Sequence, residues 1–314
     1  MKAISANELT RVYGKLTAVD HISFEVEEGE SFGLLGLNGA GKTTTLMMLS
    51  TLLRPTSGSA KVFGYDIVRQ SDEVRRFIGV VFEERAVDTR LTGRQNLDLH
   101  ARMYYLGDEE RRKRVTEVLA AVGLEKFADV KVDDYSGGML RRLEIARSMI
   151  ADPRLLILDE PTIGVDVQTR RYLWDHVKRL NKEQGISVLL ATSYAEEADY
   201  LCDRVAIMHQ GKLVAVGTPE ELKAAQGENI IRVKPAVSAD EEKWRRLVET
   251  AGWAEKVENS DGWLELKLKD GRVSIPQVVR FARDNGLAIS GISSHKPTLN
   301  DVVLRYVGDG GRAQ

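Results

Sequence analysis

Gly36-Leu37-Asn38-Gly39-Ala40-Gly41-Lys42-Thr43 satisfies G-x-x-x-x-G-K-[ST], the pattern of a loop that holds nucleotide phosphates. An apolar run ending in Phe32-Gly33-Leu34-Leu35 precedes it, and a helix-like segment, Thr44-Thr45-Leu46-Met47-Met48-Leu49, follows. A chance glycine-rich turn would have no reason to sit between a strand and a helix, and that context is what gives the motif its meaning. The glycines let the backbone wrap closely and aim its N–H groups inward, and the helix N-terminus adds the positive end of its dipole. Lys42 supplies a point charge for β/γ-phosphates and the Thr43 hydroxyl a ligand for Mg²⁺. The stretch predicts a site for a nucleoside triphosphate.

At 314 residues the chain is long for one compact domain, so two are expected. With 43% hydrophobic and 29% charged residues it can bury a sizeable core. The formal net charge of −2 gives no electrostatic reason to expect nucleic acid as a partner. The basic run Arg111-Arg112-Lys113-Arg114 follows the acidic Asp108-Glu109-Glu110 and reads as a solvated helix face. Cys202 is the one cysteine, which excludes an intramolecular disulfide, and its apolar neighbourhood points to packing. No signal pattern opens the chain, and runs such as Leu155–Leu158 and Val188–Ala191 fall far short of the ~20 apolar residues that cross a bilayer. A soluble, cytoplasmic chain is expected, with any membrane role exercised through a partner.

Ile22-Ser23-Phe24-Glu25-Val26 and Ala60-Lys61-Val62-Phe63 alternate as half-exposed strands do. The continuous runs Leu155–Leu158 and Val188–Ala191 predict central parallel strands covered on both faces. Residues 91–151 read as mostly helical, a helical insert in an α/β domain, and His209-Gln210-Gly211-Lys212 between two apolar strands is a hairpin signal. Composition shifts near Gln226-Gly227. Residues 227–307 alternate strand-like pieces (Ile230–Val233, Trp263–Leu268, Ala288–Ile292) with helix-like ones (Asp240–Ala251, Ile275–Asn285), a small α+β domain. Its tryptophans, Trp244, Trp253 and Trp263, are expected in its core. Residues 308–314 are expected to form a disordered tail.

A phosphate loop is shared by many unrelated machines, so a second group of residues carries more information. Leu155-Leu156-Ile157-Leu158-Asp159-Glu160-Pro161 reads as a buried strand ending in two acids. Asp159 is placed to hold Mg²⁺ and Glu160 to polarise the attacking water as a general base. Tyr135-Ser136-Gly137-Gly138-Met139 opens a helix with a serine and two glycines, again an anion-binding arrangement. The phosphate loop, the serine–glycine signature and the L-I-L-D-E-P strand stand in the order and spacing of an ABC-type ATPase subunit, which residues 3–226 resemble.

That resemblance implies a P-loop NTPase core with a helical insert and an antiparallel β subdomain, joined here to the small C-terminal α+β domain. It implies ATP as substrate with Mg²⁺, held by Gly36, Asn38, Gly39, Ala40, Gly41, Lys42, Thr43 and Thr44. Tyr13 looks like the aromatic residue that stacks on adenine, and Asp166 like the loop residue that communicates between paired subunits. In such ATPases two subunits sandwich two ATP molecules head to tail, so that Ser136, Gly137 and Gly138 of one would cover the phosphate loop of the other. A homodimer, or pairing with a similar subunit, is therefore expected. Lys296-Pro297-Thr298-Leu299-Asn300-Asp301-Val302-Val303-Leu304 resembles the closing motif of daunorubicin-resistance-type exporter ATPases. Such subunits power a separate transmembrane permease for drugs, lipids or similar amphiphiles, which implies a peripheral location at the inner face of the membrane.

Two positions depart from the pattern. Glu83, in Gly79-Val80-Val81-Phe82-Glu83, stands where the family has glutamine; it keeps a metal ligand but loses an N–H donor and adds charge near Glu160. Ser193, in Leu190-Ala191-Thr192-Ser193-Tyr194, stands where the family has the histidine that touches the γ-phosphate. A functional but slow ATPase is expected, with Glu160, Ser193 and Lys42 at its catalytic centre. A non-hydrolytic ATP-dependent regulatory dimer and a soluble ABC-type ATPase unconnected with transport are the rival readings; a small-molecule kinase would leave Ser136-Gly137-Gly138 and the Asp159-Glu160 pair unexplained.

Overall fold

The structure, a computed structural model, describes residues 1–225, 230–237, 241–252, 254–260, 262–268, 274–295 and 297–310. The chain divides into two compact units, Met1–Thr218 and Pro219–Gln314.

The first unit opens with β1 (Lys2–Tyr13), β2 (Leu16–Glu27) and β3 (Ser31–Leu35), then α1 (Lys42–Leu49). β4 (Ser57–Val62), β5 (Tyr65–Asp66), α2 (Ser71–Phe77) and β6 (Ile78–Val81) follow. The helical stretch is α3 (Gly93–Met103), α4 (Asp108–Ala121) and α5 (Gly137–Ser148). The unit closes with β7 (Leu155–Asp159), α6 (Val167–Gln184), β8 (Ser187–Thr192), α7 (Ala195–Leu201), β9 (Arg204–His209) and β10 (Lys212–Gly217). One sheet is antiparallel, order β2-β1-β4-β5, and its alternating residues put Ile4, Ile22, Phe24, Val26, Ala60 and Val62 inside. The other has order β10-β9-β3-β8-β7-β6, parallel except for β10 against β9. β3, β7 and β8 are buried at every position, the result that unbroken apolar runs demand.

Local chemistry fixes the ends of these elements. Thr92 caps α3 in a reciprocal box with Gln95, and Gly185 ends α6 at φ 70°. The β9–β10 turn places Gln210 at φ 46° and Gly211 at φ 80°, both left-handed as a two-residue hairpin loop requires. Cys202 is buried, and a Cβ on Gly33 would lie 2.8 Å from its sulfur, so the thiol packs against β3 and burial pushes its pKa up. The expectation of a wholly solvated face for residues 111–114 needs correcting at one position. Arg111 is buried, because its guanidinium joins Asp98 and Asp108 at 2.5 and 2.7 Å and ties α4 to α3.

The second unit contains α8 (Pro219–Ala224), β11 (Ile230–Pro235), α9 (Glu241–Ala251), β12 (Ala254–Ser260), β13 (Trp263–Leu268), α10 (Ile275–Asp284), β14 (Ile289–His295) and α11 (Leu299–Gly310). Its antiparallel sheet has order β12-β13-β11-β14, with Ile231, Val233, Leu264 and Leu266 packed against Trp244 and Val248 of α9 and Val278 and Ala282 of α10. Trp244 is fully buried as expected. Trp263 is not in that core: it stands on the opposite face of β13, beside Gly291 and within cation–π range of Arg232 and Lys234. Trp253 lies outside the described residues. Residues 308–310 close α11 instead of belonging to a disordered tail, and residues 311–314 lie outside the described residues.

Candidate active site

Strand register brings the separate motifs to one edge. Leu35 of β3 is level with Thr192 of β8, Ala191 with Asp159 of β7, and Leu158 with Val81 of β6. The loops leaving these four strands therefore carry Lys42, Ser193, Glu160 and Glu83 from the same carboxyl edge, the place where open parallel sheets bind ligands. A cavity of ≈ 670 Å³ opens there. Tyr13, Asn38, Gly39, Gly41, Lys42, Thr43, Thr44, Glu83 and Glu160 are among its lining residues.

Two glycines of the phosphate loop are fixed by their surroundings. A Cβ on Gly36 would lie 2.3 Å from the Met208 carbonyl oxygen, and one on Gly41 would lie 2.4 Å from that of Ala18. Gly41 is also left-handed, at φ 105°. The loop is pressed against β9 and β2 from behind, which turns its open side to the cavity. Ala40 is buried in that contact, its carbonyl accepting from the Gly211 N–H at 3.0 Å.

Lys42 is 5% exposed. Its ammonium donates to the carbonyls of Gly36 (2.8 Å) and Leu37 (3.3 Å) and lies 3.3 Å from Glu160 Oε1. Glu160 Oε2 accepts from both the backbone N–H (3.1 Å) and the hydroxyl (3.2 Å) of Ser193. Its Oε1 has the Lys42 charge beside it but no hydrogen bond. Glu160 stands at φ 44°, a conformation that costs a non-glycine residue about 1–2 kcal/mol. Its N–H on the Ala191 carbonyl at 2.8 Å holds it there. Ser193 is not among the residues lining the cavity, and its two bonds to one oxygen of Glu160 are the geometry of a group orienting the carboxylate.

Asp159 is 1% exposed and neither of its carboxylate oxygens has a hydrogen-bonding partner. Burial pushes its pKa above the ordinary carboxylate range; the Thr43 hydroxyl and Lys42 oppose this, while the charges of Glu160 and Glu83 add to it. Two unpartnered buried oxygens beside a threonine hydroxyl are a donor set suited to a hard cation. Among the described residues no group of three or more His, Cys, Asp and Glu could hold a metal by itself.

Tyr13 is 42% exposed at the end of β1, with the Arg11 guanidinium 4.5 Å over its ring. Ser136, Gly137, Gly138 and Asp166 are not brought to the cavity of their own chain. Ser136 caps α5, its hydroxyl accepting from the Met139 N–H at 3.3 Å, and Gly137 is open and exposed beside it. Gly138 is buried; a Cβ there would lie 2.4 Å from Thr169 Cγ2, so this glycine lets α5 approach α6. Asp166 caps α6 through the Thr169 N–H (3.0 Å) and hydroxyl (2.6 Å), bonds that lower its pKa. Exposed Ile163 and Val167 flank it. Sequence reasoning missed Thr17, Ala18, Gln210 and Gly211 of the cavity wall, and Arg141, which grips the end of β7 from α5. The hairpin signal marks Gln210 and Gly211 as a turn, but nothing local marks any of the first four as cavity wall, because their place depends on β2 and the β9–β10 turn meeting the phosphate loop.

A family model described as "ABC transporter" matches residues 19–163, and one described as "ATP-binding protein DrrA1-3-like, C-terminal domain" matches residues 217–307. The chain is 40% identical to the daunorubicin resistance ATP-binding protein DrrA2 of Streptomyces coeruleorubidus, over 98% of this chain and 95% of that protein. It is 43% identical to the linearmycin resistance ATP-binding protein LnrL of Bacillus subtilis, over 73% of each. Among solved structures it resembles the dimeric bacterial ABC transporter cassette MJ0796, with TM-score 0.63 and 30% identity over 68% of this chain and 98% of that one. It also resembles cbiO1 of Clostridium perfringens, part of the cbiONQ transporter complex, with TM-score 0.66 and 27% identity over 79% and 95%.

Proposed function

Since this chain belongs to the ABC transporter ATP-binding proteins of the daunorubicin-resistance type, we propose that two copies close head to tail over two Mg²⁺·ATP and drive a separate exporter permease. The cargo class in this reading is a drug-like or lipid amphiphile; the resistance to daunorubicin and to linearmycin in its relatives' names supports the drug-like member of that class. Among the described residues no helix is long and apolar enough to cross a membrane; in this reading the chain meets the bilayer through that permease.

The observation that carries the catalytic reading is the setting of Glu160 on the cavity wall. Ser193 holds one of its oxygens with two donors, while the other is buried without a hydrogen bond, 3.3 Å from the Lys42 ammonium. A carboxylate oriented in this way can take a proton from water attacking the γ-phosphate once the triphosphate draws the Lys42 ammonium to itself. Lys42 and the phosphate loop hold the β/γ-phosphates, and Tyr13 stacks on the adenine. Thr43, Asp159 and Glu83 would hold Mg²⁺, which when bound neutralises charge on the phosphates. Ser136, Gly137 and Asp166, exposed and away from their own cavity, act on the partner's nucleotide.

The test is the Glu160→Gln protein, which keeps the shape of the site but removes the base. It should run as a dimer by light scattering with ATP and Mg²⁺ and as a monomer without nucleotide, while the parent protein turns over ATP faster with its permease. A monomer at saturating Mg²⁺·ATP, even beside the permease, sinks the proposal; a parent protein that dimerises but never hydrolyses makes the chain a regulator.

A further inference from the structure

We propose that Arg141, paired with Glu144, is a positioning residue that couples the serine–glycine cap to the catalytic segments of its own chain, so that hydrolysis at the two sites of a dimer is cooperative. The inference rests on the head-to-tail pairing proposed above.

A guanidinium has five N–H donors in a fixed planar fork, and all five of Arg141 are engaged. Nε donates to the Pro161 carbonyl at 2.7 Å, and Nη2 to those of Asp159 (2.9 Å) and Glu160 (3.1 Å). Nη1 donates to the Phe82 carbonyl at 2.7 Å and to Glu144 Oε2 at 2.9 Å. Glu144 Oε1 in turn accepts from the Ala86 N–H at 3.2 Å. Arg141 and Glu144 are 7% and 3% exposed.

The pair therefore grips the segment carrying Glu83 on both sides, at residues 82 and 86, and every carbonyl from Asp159 to Pro161. All of this hangs from α5, whose exposed N-terminus is Ser136 and Gly137. A movement of α5 when its cap meets the partner's nucleotide is thus a movement of the backbone that carries Glu160. The strained φ of Glu160 gives this contact something to hold, since its carbonyl is one of the five acceptors. A buried arginine serving stability alone would also be fully bonded, so the test must separate rate from folding.

Full-length Arg141→Lys and Arg141→Met/Glu144→Met proteins serve, assayed with ATP and Mg²⁺ alongside the parent. Lysine keeps the charge but not the fork. The double change leaves no stranded buried charge, so it should melt above the Arg141→Met single variant and keeps the test available if that single variant fails to fold. The parent should show a Hill coefficient between about 1.5 and 2 for ATP. Both variants should lose about 100-fold in kcat with KM changed less than about threefold, and their Hill coefficient should fall towards 1. Each should still dimerise on ATP when combined with Glu160→Gln. A folded variant with parental kcat and cooperativity overturns the proposal, as does a non-cooperative parent. Failure of Glu160→Gln alone to dimerise would instead remove the pairing on which it rests.

Discussion

Replacing Ser193 by alanine removes one of two donors on Glu160 Oε2 and leaves the other, the backbone N–H at 3.1 Å, in place. A hydrogen bond to a charged group contributes about 1.5–3 kcal/mol. The hydroxyl bond is long at 3.2 Å and Ser193 is only partly buried, so water can replace some of it. The loss should lie at the lower end, about 1–2 kcal/mol, which corresponds to about 5–30-fold in rate. Because Ser193 does not line the cavity, the whole effect should appear in kcat, with KM for ATP unchanged. Steady-state ATPase assays over a range of ATP concentrations measure both, and Ser193→Thr, which restores the hydroxyl, should recover most of the rate. If Ser193→Ala raises KM and spares kcat, the serine contacts the nucleotide directly and the orienting role assigned to it is wrong.

Gly41→Ala should lower ATP affinity by about 30-fold or more, since left-handed strain of about 1–2 kcal/mol adds to an overpacking cost of about 1–3 kcal/mol where the new methyl meets the Ala18 carbonyl 2.4 Å away. Calorimetric titration with ATP checks this, and parental affinity would refute it. Glu83→Gln removes an anionic ligand, so the Mg²⁺ concentration giving half-maximal ATPase should rise, by about 3–10-fold; no change would place Glu83 outside the metal's reach. Glu197 is fully buried, accepting from the Thr162 hydroxyl at 2.7 Å and the Trp174 indole at 2.8 Å. Burial raises its pKa above 4.5, the Thr192, Thr162 and Trp174 bonds oppose the shift and the Glu160 charge adds to it. The folded chain thus binds this proton more tightly than the unfolded chain does. The stability it contributes is complete below about pH 4.5 and is lost as pH rises through the folded pKa. Urea midpoints of Glu197→Gln should therefore exceed the parent's by a margin that grows from pH 5 to pH 8, and a constant or shrinking margin would contradict this.

Local pattern alone specified the phosphate loop, the buried strands β7 and β8, the helical stretch and the two acids at the end of β7. Each of these depends on short-range physics: an unbroken apolar run, a helix period, or glycines ahead of a helix. In the second unit the same reasoning found β11, β13, β14, α9 and α10 but passed over β12 and α11. β12, Ala-Glu-Lys-Val-Glu-Asn-Ser, is too polar to announce itself and owes its existence to pairing with β13. The tertiary structure decided which face Trp263 takes, because sheet pleating puts Leu264 and Leu266 together on the core side and Trp263 on the other. It also decided that Ser193 bonds to Glu160 and that Gly138 is a packing glycine. Arg141 is one of two adjacent arginines between leucines when read along the chain. Its five acceptors come from segments up to 59 residues away, and no periodicity records contacts that exist only once those segments have folded onto α5.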